Sequence, residues 1–325
     1  MSRSPDGAGP LWLNDLVSRS LKAHILLVLV TLAWGVTFVV VKNALADITP
    51  LLFNTVRMVL AALCLGAFYF RRLPRISGAT LRAGLLVGAF LWLGYGFQTT
   101  GLVLTSPSKS AFITGLAVVL VPVFLAIGWR RMVNRWTAAG VAAAFLGLYL
   151  LTVPADGHHW LSLEGVNRGD LLTLGCAVAF AFQIIFLGRA MRYHHYEQVA
   201  VLQAATAAVL MAATVPLLEH PHAVWSGRVL WAIAVTALFC TAAAFTIQAW
   251  AQQFTPPTHT ALIFSLEPVF AWLTSYLVLG ERLGARAGLG AALILGGVLL
   301  SELKGSAAQP AAEVGPPVEG ASEEI

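Results

Sequence analysis

Ionisable side chains inside otherwise apolar stretches are the residues of this chain best suited to chemistry. Glu267, in the segment SLEPVF, lies about nine residues into its stretch, which is about 13 Å at the rise of a helix. A carboxylate so deep in a membrane-spanning segment is costly, and such groups usually face a cavity on a substrate, ion or proton path. Pro268 can kink the backbone and leave carbonyl groups unpaired beside such a cavity. Glu267 is therefore predicted to bind a substrate or carry an ion; alternatively, it bonds a neighbouring helix or caps a backbone break.

Three basic residues raise similar alternatives. Arg57 lies about 10 Å from the nearer end of its stretch, where it could bind a carboxylate, pair with Glu267, or extend towards the lipid headgroups. Lys109, in the turn TSPSKSAF, is either a binding residue or a solvated loop lysine. Lys42 closes the first apolar stretch and is expected to anchor the end of that helix.

Uncharged polar and aromatic residues also fall in the middle of apolar stretches. An amide surrounded by lipid needs a hydrogen-bonding partner, so each should face another helix or a wet cavity. Individually they could simply hold helices together, but as a group they predict the lining of one cavity. They are Trp34, Thr37, Tyr95, Gln98, Thr114, Gln183 and Gln248.

Motifs for enzymatic chemistry and metal binding are absent from the printed sequence. It has no Gly-x-Ser-x-Gly, no Walker loop and no nucleotide fingerprint after a strand, so neither an enzyme, nor ATP hydrolysis, nor a cofactor is expected. His158, His159, His220 and His222 lie near acidic residues but lack a tight ligand spacing. We expect them to be exposed loop histidines and predict no metal site.

The composition indicates the elements that carry these residues. Hydrophobic residues make up 58% of the 325 and charged residues 11%, whereas a soluble domain has about 25% charged residues. Apolar runs of about 18 to 22 residues, without the alternation of a barrel, match helices that cross a bilayer. The net charge of +5 comes from short, separated clusters, which excludes a nucleic-acid track. The predicted spans are 24–41, 51–70, 83–104, 110–128, 136–153, 169–188, 198–217, 229–250, 259–279 and 286–302.

The distribution of lysine and arginine predicts the orientation. With the N-terminus inside, thirteen of the 20 basic residues lie on the cytoplasmic side, six lie outside and Arg57 lies within a span. Both termini are therefore expected in the cytoplasm, with the protein in the inner membrane. Residues 304–325 have too little apolar area to order and are predicted to be a disordered cytoplasmic tail.

The chain also looks duplicated, with an offset near 147 residues. Five helices per half is an odd number, so the halves must be inverted in the membrane, an arrangement that lets them rock about a central site. Chance similarity between Ala- and Gly-rich segments is the alternative. The matched pairs are Gly140 with Gly290, Gly147 with Gly297, Pro122 with Pro268, Lys42 with Arg189, and Arg57 with Gln203.

Several segments resemble EamA-type members of the drug/metabolite transporter superfamily. They include LAWGVTFVVVKNAL (32–45), TSPSKSAFITGLAVVLVPVFLA (105–126) and TPPTHTALIFSLEPVFAWLTSYLVLGERL (255–283). The resemblance implies an all-α integral membrane protein of about ten transmembrane helices in two inverted five-helix repeats, with a central substrate path. Members carry amino acids, other metabolites or drugs, often outward. One departure is FAFQIIF (180–186), where relatives often have a tryptophan, so a symmetrical tryptophan pair is in doubt.

The expected organisation follows from the spans and the resemblance. Residues 1–23 form a cytoplasmic segment, 24–153 the first repeat, 154–168 a connecting loop and 169–303 the second repeat. The expected function is secondary export of a small metabolite, such as an amino acid, with coupling to a proton or another ion. Smooth Ala/Gly faces on the fifth and tenth spans could support a homodimer. A membrane-embedded lipid-handling enzyme or assembly protein is the rival interpretation, although such an enzyme would normally cluster acids, histidines or lysines at one interface.

Overall fold

A computed structural model describes residues 11–73, 75–105, 107–152, 167–279 and 284–305. Within these ranges all repetitive structure is helical, with one isolated β-bridge between Ile48 and Ala223. The helices are α1 (Leu11–Ala44), α2 (Pro50–Phe68), α3 (Gly78–Leu104), α4 (Pro107–Gly115), α5 (Ala117–Trp129), α6 (Arg135–Thr152), α7 (Arg168–Ala190), α8 (Tyr196–Leu218), α9 (Gly227–Ala237), α10 (Ala244–Ala251), α11 (Pro257–Phe264), α12 (Glu267–Leu279) and α13 (Ala285–Leu300). Residues 306–325 of the predicted tail, most of the connecting loop, and His158 and His159 lie outside the described residues. The first two residues of that tail, 304 and 305, were predicted to be disordered but end a π-helix, Ser301–Gly305.

The described helices make ten crossings, as predicted, once interrupted helices are joined. Seven are long and apolar enough to span a bilayer by themselves, and α6 and α13 are shorter apolar helices. The fold class is confirmed: this is an all-α, multi-pass membrane protein.

Three predicted elements differ from the structure. The first helix begins at Leu11 rather than at residue 24, because no proline or glycine interrupts the sequence from there to Trp34. The fourth predicted span, 110–128, is interrupted at Leu116, between α4 and α5. The ninth breaks between α11 and α12, immediately before Glu267.

The two repeats pack around a pseudo-two-fold axis. α6 crosses α13, its counterpart, with Gly140 against Gly297 and Gly147 against Gly290, so each contact has its symmetry mate. α2 likewise packs on its counterpart α8. The glycines at these crossings, which lie on the Ala/Gly faces of the fifth and tenth crossings, therefore contact each other within the chain.

Glycine at 297 is expected to be essential to this crossing. A Cβ there would lie 2.5 Å from the Gly140 carbonyl oxygen, whereas a Cβ on neighbouring Gly296 would meet nothing within 4 Å. Gly297→Ala should therefore lower the free energy of unfolding by about 1–3 kcal/mol through overpacking. Gly296→Ala, which only improves helix propensity, should raise it by about 0.5–1 kcal/mol. Thermal unfolding in detergent measures both, and a Gly297→Ala protein as stable as Gly296→Ala would contradict this packing.

A polar clamp fixes the start of α2, the helix that carries Arg57. It consists of Glu219 and the groups of Thr49, Leu51 and Leu52 that donate to it. Glu219, at the end of α8, accepts hydrogen bonds from the Thr49 hydroxyl (2.7 Å) and the backbone N–H groups of Leu51 (3.1 Å) and Leu52 (2.7 Å). It therefore supplies from another helix the cap that α2 lacks locally.

Beside this cap, Arg228 pairs with Asp47 at 2.7 Å. Hydrogen bonds from Arg228 and then Ser226 lower the pKa of the Asp47 carboxyl. Because the folded pKa is depressed, the stabilisation from Asp47 is present above its ordinary value of 3.8 and is lost as the pH falls through the folded value.

Removing the Glu219 carboxylate should destabilise the fold measurably. Glu219→Ala leaves the first N–H groups of α2 without their acceptor, and loss of an N-cap typically costs about 1 kcal/mol. We expect a lower melting temperature for Glu219→Ala and no change for His220→Ala, an exposed neighbour. Equal melting temperatures for the two variants would show that the clamp contributes nothing.

Lys42 links the C-terminal end of α1 to the end of α3. Its ammonium group donates to the Leu102 carbonyl and to the carbonyls of Val103 (3.2 Å) and Thr105 (3.1 Å). These are free carbonyls at the C-terminus of α3, where a cation is favoured. The expectation that Lys42 anchors α1 agrees with this geometry.

Candidate functional site

A cavity of about 80 Å³ lies between the two repeats at mid-membrane depth. A water molecule needs about 10–15 Å³ by the same measure, so the space holds several waters or a small solute. The cavity is lined by α1 to α5 from the first repeat and by α7, α10, α11 and α12 from the second.

The structure brings eight of the ten predicted site residues to this cavity. They are Trp34, Thr37, Arg57, Tyr95, Gln98, Thr114, Gln183 and Glu267. Gln248 does not line it and lies behind Gln183. Lys109 lies in α4, with a side chain outside the described part of the structure.

Most of the lining that sequence reasoning missed is apolar. Such residues cannot be told from lipid-facing ones in a sequence where every span is apolar. They include Phe38, Val41, Leu102, Phe180, Ile184, Phe245, Ala261 and Phe264. Ser265, two residues before Glu267, is the one polar position that the SLEPVF motif could have indicated.

Arg57 is a buried cation held by neutral groups. Its Nε donates to the Thr241 hydroxyl (2.7 Å), and its Nη2 donates to the Tyr95 hydroxyl (2.9 Å) and the Cys240 carbonyl (3.4 Å). The guanidinium also lies 4.2 Å from the centre of the Tyr95 ring, within range of a cation–π interaction.

Two of the three roles considered for Arg57 do not fit this geometry. The side chain is 4% exposed and points into the protein, so it does not extend to the headgroups. No acidic side chain in the described ranges forms an ion pair with it, Glu267 included. A buried charge without a counter-charge is costly, and binding an anionic group would offset that cost.

The Cys240 carbonyl is available because the backbone around it is a π-helix. Residues Leu238–Ala243 form this segment between α9 and α10, and such insertions release carbonyls from the regular ladder. The Trp34 indole also donates to the Cys240 carbonyl, at 2.9 Å. One carbonyl of the second repeat thus binds both Trp34 and Arg57 of the first.

Glu267 is placed in the cavity by the break in the ninth crossing. α11 ends at Phe264, and α12 begins at Glu267, where the helix dipole favours a negative charge. Pro268 costs no hydrogen bond in this first turn. Gly35 allows α1 to approach, since a Cβ there would lie 2.8 Å from the Glu267 carbonyl oxygen.

The Glu267 carboxylate has no partner among the described residues. It forms no hydrogen bond and no ion pair there, although it lines the cavity. The alternative role of bonding a neighbouring helix is therefore not what the geometry shows. A free carboxylate facing a mid-membrane cavity can accept a proton, a cation or an ammonium group.

Aromatic side chains pack together in one part of the cavity wall. Trp34 contacts Phe264 edge-on, with ring centres 4.9 Å apart, and Phe245 at 5.6 Å. The lining also reaches Val41 and Leu102, near the C-termini of α1 and α3. The cavity thus extends towards the side on which these two helices end.

The chain matches the EamA-like transporter family over residues 21–153 and 167–303, one match per half. It is 34% identical over 293 residues to an uncharacterized transporter of Archaeoglobus fulgidus, covering 88% of this chain and 87% of the relative. It is 28% identical over 210 residues to a probable amino-acid metabolite efflux pump of Salmonella typhimurium, covering 61% and 62% of the two chains. A crystal structure with 18% identity has the same fold, with a TM-score of 0.71 over 89% of this chain and 99% of that chain.

This chain belongs to the EamA-like transporter family. It is a multi-pass membrane transporter, so a lipid bilayer surrounds it and a small molecule is its substrate.

Proposed function

We propose that this transporter is a secondary carrier that exports a small zwitterionic metabolite, such as an amino acid or a related polar compound. The observation that supports this proposal is a mid-membrane cavity with an unpartnered carboxylate, Glu267, and a cation, Arg57, whose hydrogen-bonding partners are all neutral. An amino acid carries the two complementary charges in one small molecule.

The proposed pose places the substrate ammonium group at Glu267 and its carboxylate at Arg57. Each charge-assisted hydrogen bond contributes about 1.5–3 kcal/mol, which is roughly a ten- to hundredfold effect on affinity. A compound that carries only one of the two charges leaves either Arg57 or Glu267 buried without a counter-charge. The apolar walls of Phe180, Phe245 and Phe264 would contact the substrate side chain, which favours apolar or aromatic side chains.

Coupling to a proton would follow from competition at one carboxylate. A proton and a substrate ammonium group cannot both occupy Glu267, so the arrival of one promotes release of the other. An inverted repeat lets the protein present this carboxylate to each side of the membrane in turn. A proton gradient would then drive export without ATP. The name of the Salmonella typhimurium relative is in keeping with an outward amino-acid carrier.

Two measurements test this function. Cells that produce the protein should accumulate specific amino acids or their derivatives in the medium, relative to cells that lack it. Proteoliposomes with the purified protein should then move the same compounds faster than empty liposomes. An absence of flux together with modification of lipid would instead favour the lipid-handling alternative.

The proposed orientation is an inner-membrane protein with both termini in the cytoplasm and with repeats at 24–153 and 169–303. A reporter active only in the cytoplasm, fused after Leu303, should be active, because the positive-inside bias places that end in the cytoplasm. Activity of a periplasm-specific reporter at the same position would reverse the assignment of faces.

A further inference from the structure

Four glutamines form a buried cluster beside the cavity. Gln183 of α7 and Gln248 of α10 exchange amide hydrogen bonds at 3.4 and 3.1 Å. Gln183 also donates to Gln203 of α8 (3.2 Å), and Gln248 donates to Gln252 (3.4 Å). The exposed fractions are between 0 and 5% for all four residues. Gln183 also lines the cavity, so the cluster begins at the cavity wall.

The cluster is not fully satisfied. The Gln203 amide nitrogen has no hydrogen-bond partner, although the residue is 0% exposed. An unsatisfied buried donor typically costs about 1–3 kcal/mol, and the cost is harder to avoid where no water is near. Helix packing alone gives no reason to keep such a donor. The donor would have a role if it met a hydrogen-bond acceptor in another conformation of the protein.

The internal repeat identifies that conformation. α2 begins at Pro50 and α8 at Tyr196, which matches Gln203 to Arg57. The same count can be made from the start of α3 at Gly78 and the start of α9 at Gly227. With one extra residue allowed for the π-helix, Gln248 is equivalent to Gln98. Arg57 and Gln98 line the open cavity, whereas their counterparts Gln203 and Gln248 are closed off from it.

Inverted repeats alternate access by rocking against each other about a central site. We infer from their equivalence that, in the opposite-facing state, each half adopts the arrangement that its counterpart has here. Residues equivalent to the present lining should then line the cavity of that state. We propose that Gln203 and Gln248, together with Gln183 at the wall of the present cavity, form a second substrate site. Gln203 and Gln248 are closed off in this structure and line the cavity when it opens towards the cytoplasm. This inference rests on the proposed transport function and extends it.

The chemistry of this second site is neutral. Amide groups carry no charge, so this site can bind the substrate only through hydrogen bonds and not through the ion pairs proposed at Arg57 and Glu267. The free amide nitrogen of Gln203 requires an oxygen acceptor. A substrate carboxylate oxygen fits that requirement, in the position equivalent to the one proposed at Arg57.

Thiol labelling tests the proposed site without knowledge of the substrate. In a protein with Cys64, Cys176 and Cys240 replaced, Gln203→Cys should react with a membrane-impermeant methanethiosulfonate cation added from the cytoplasmic side. The rate should be at least about tenfold that from the outside, a difference of about 1.4 kcal/mol in accessibility. Ala204→Cys is the matched control, since Ala204 has the same depth and burial but packs against Ala61 and Ala242. It should be inert from both sides.

Wild-type flux measured in the same membranes separates the two proposals. Flux with an inert Gln203→Cys would overturn the second site and leave the transport function intact. Labelling without amino-acid flux would support the opening at Gln203 and contradict the substrate class. Inertness together with no flux would overturn both. If Gln203→Cys does not accumulate in the membrane, Gln248→Cys takes its place, with the same outcomes.

Discussion

Glu267→Gln is expected to abolish transport driven by a proton gradient. Glutamine keeps the shape of the side chain and can hydrogen-bond, but it can neither release a proton nor pair with an ammonium group. The carboxylate lines the cavity without a partner among the described residues, so its charge is available to a ligand. Loss of a charge-assisted hydrogen bond should reduce substrate affinity roughly ten- to hundredfold.

Two assays in proteoliposomes separate the roles of Glu267. If the residue carries only the proton, Glu267→Gln should lose driven uptake and retain substrate exchange. If it binds the substrate ammonium group, exchange should fall as well, and Glu267→Asp should restore part of it. Glu197→Gln, which alters a carboxylate at the start of α8, is the control and should behave as wild type. Wild-type rates for Glu267→Gln in both assays would remove this residue from the mechanism.

Arg57→Gln is the second substitution with a large expected effect. It gives α2 the residue that the second repeat has at the equivalent position, Gln203, and removes the charge that would bind a carboxylate. We expect KM for an amino acid to rise at least about tenfold, equivalent to about 1.4 kcal/mol. Arg57→Lys should not rescue it, because an ammonium group cannot reproduce the guanidinium bonds to Thr241 and Tyr95.

Substrate selectivity distinguishes a binding role for Arg57 from a structural one. The wild-type protein should prefer an amino acid to its methyl ester, whereas Arg57→Gln should transport the two at similar rates. Thr241→Val removes one hydrogen bond to Arg57 but keeps the charge, so it should preserve the preference. If Arg57→Gln discriminates against the ester as strongly as wild type does, the substrate carboxylate does not bind there.

The helical crossings could be predicted from the sequence because each needs a long apolar run, a strong and local signal. Glu267 and Arg57 could be predicted for the same reason, since a charge within such a run stands out. The breaks at Leu116 and before Glu267 could not be placed, because they depend on how neighbouring helices pack. The π-helix Leu238–Ala243 contains neither proline nor glycine, so its sequence carries no visible signal.

The hydrogen-bonding partners of the predicted site residues could not be predicted from the sequence either. A pairing of Arg57 with Glu267 was one reasonable expectation from charge alone, yet Arg57 binds Tyr95, Thr241 and a carbonyl freed by the π-helix. Gln248 was expected at the cavity because of its depth, which the sequence reveals. The side of the helix that faces the cavity depends on packing, and in this conformation Gln248 faces the glutamine cluster.

Counterflow in proteoliposomes tests the central claim most directly. Phenylalanine, leucine and threonine serve as probes, each compared with its methyl ester, which lacks the carboxylate charge, and with the amine left after decarboxylation. We expect at least one free amino acid to drive counterflow at least about tenfold better than its ester and its amine, because both of these leave Arg57 unpaired. If no free amino acid exceeds its ester and its amine, the cavity does not recognise a zwitterion through Arg57 and Glu267.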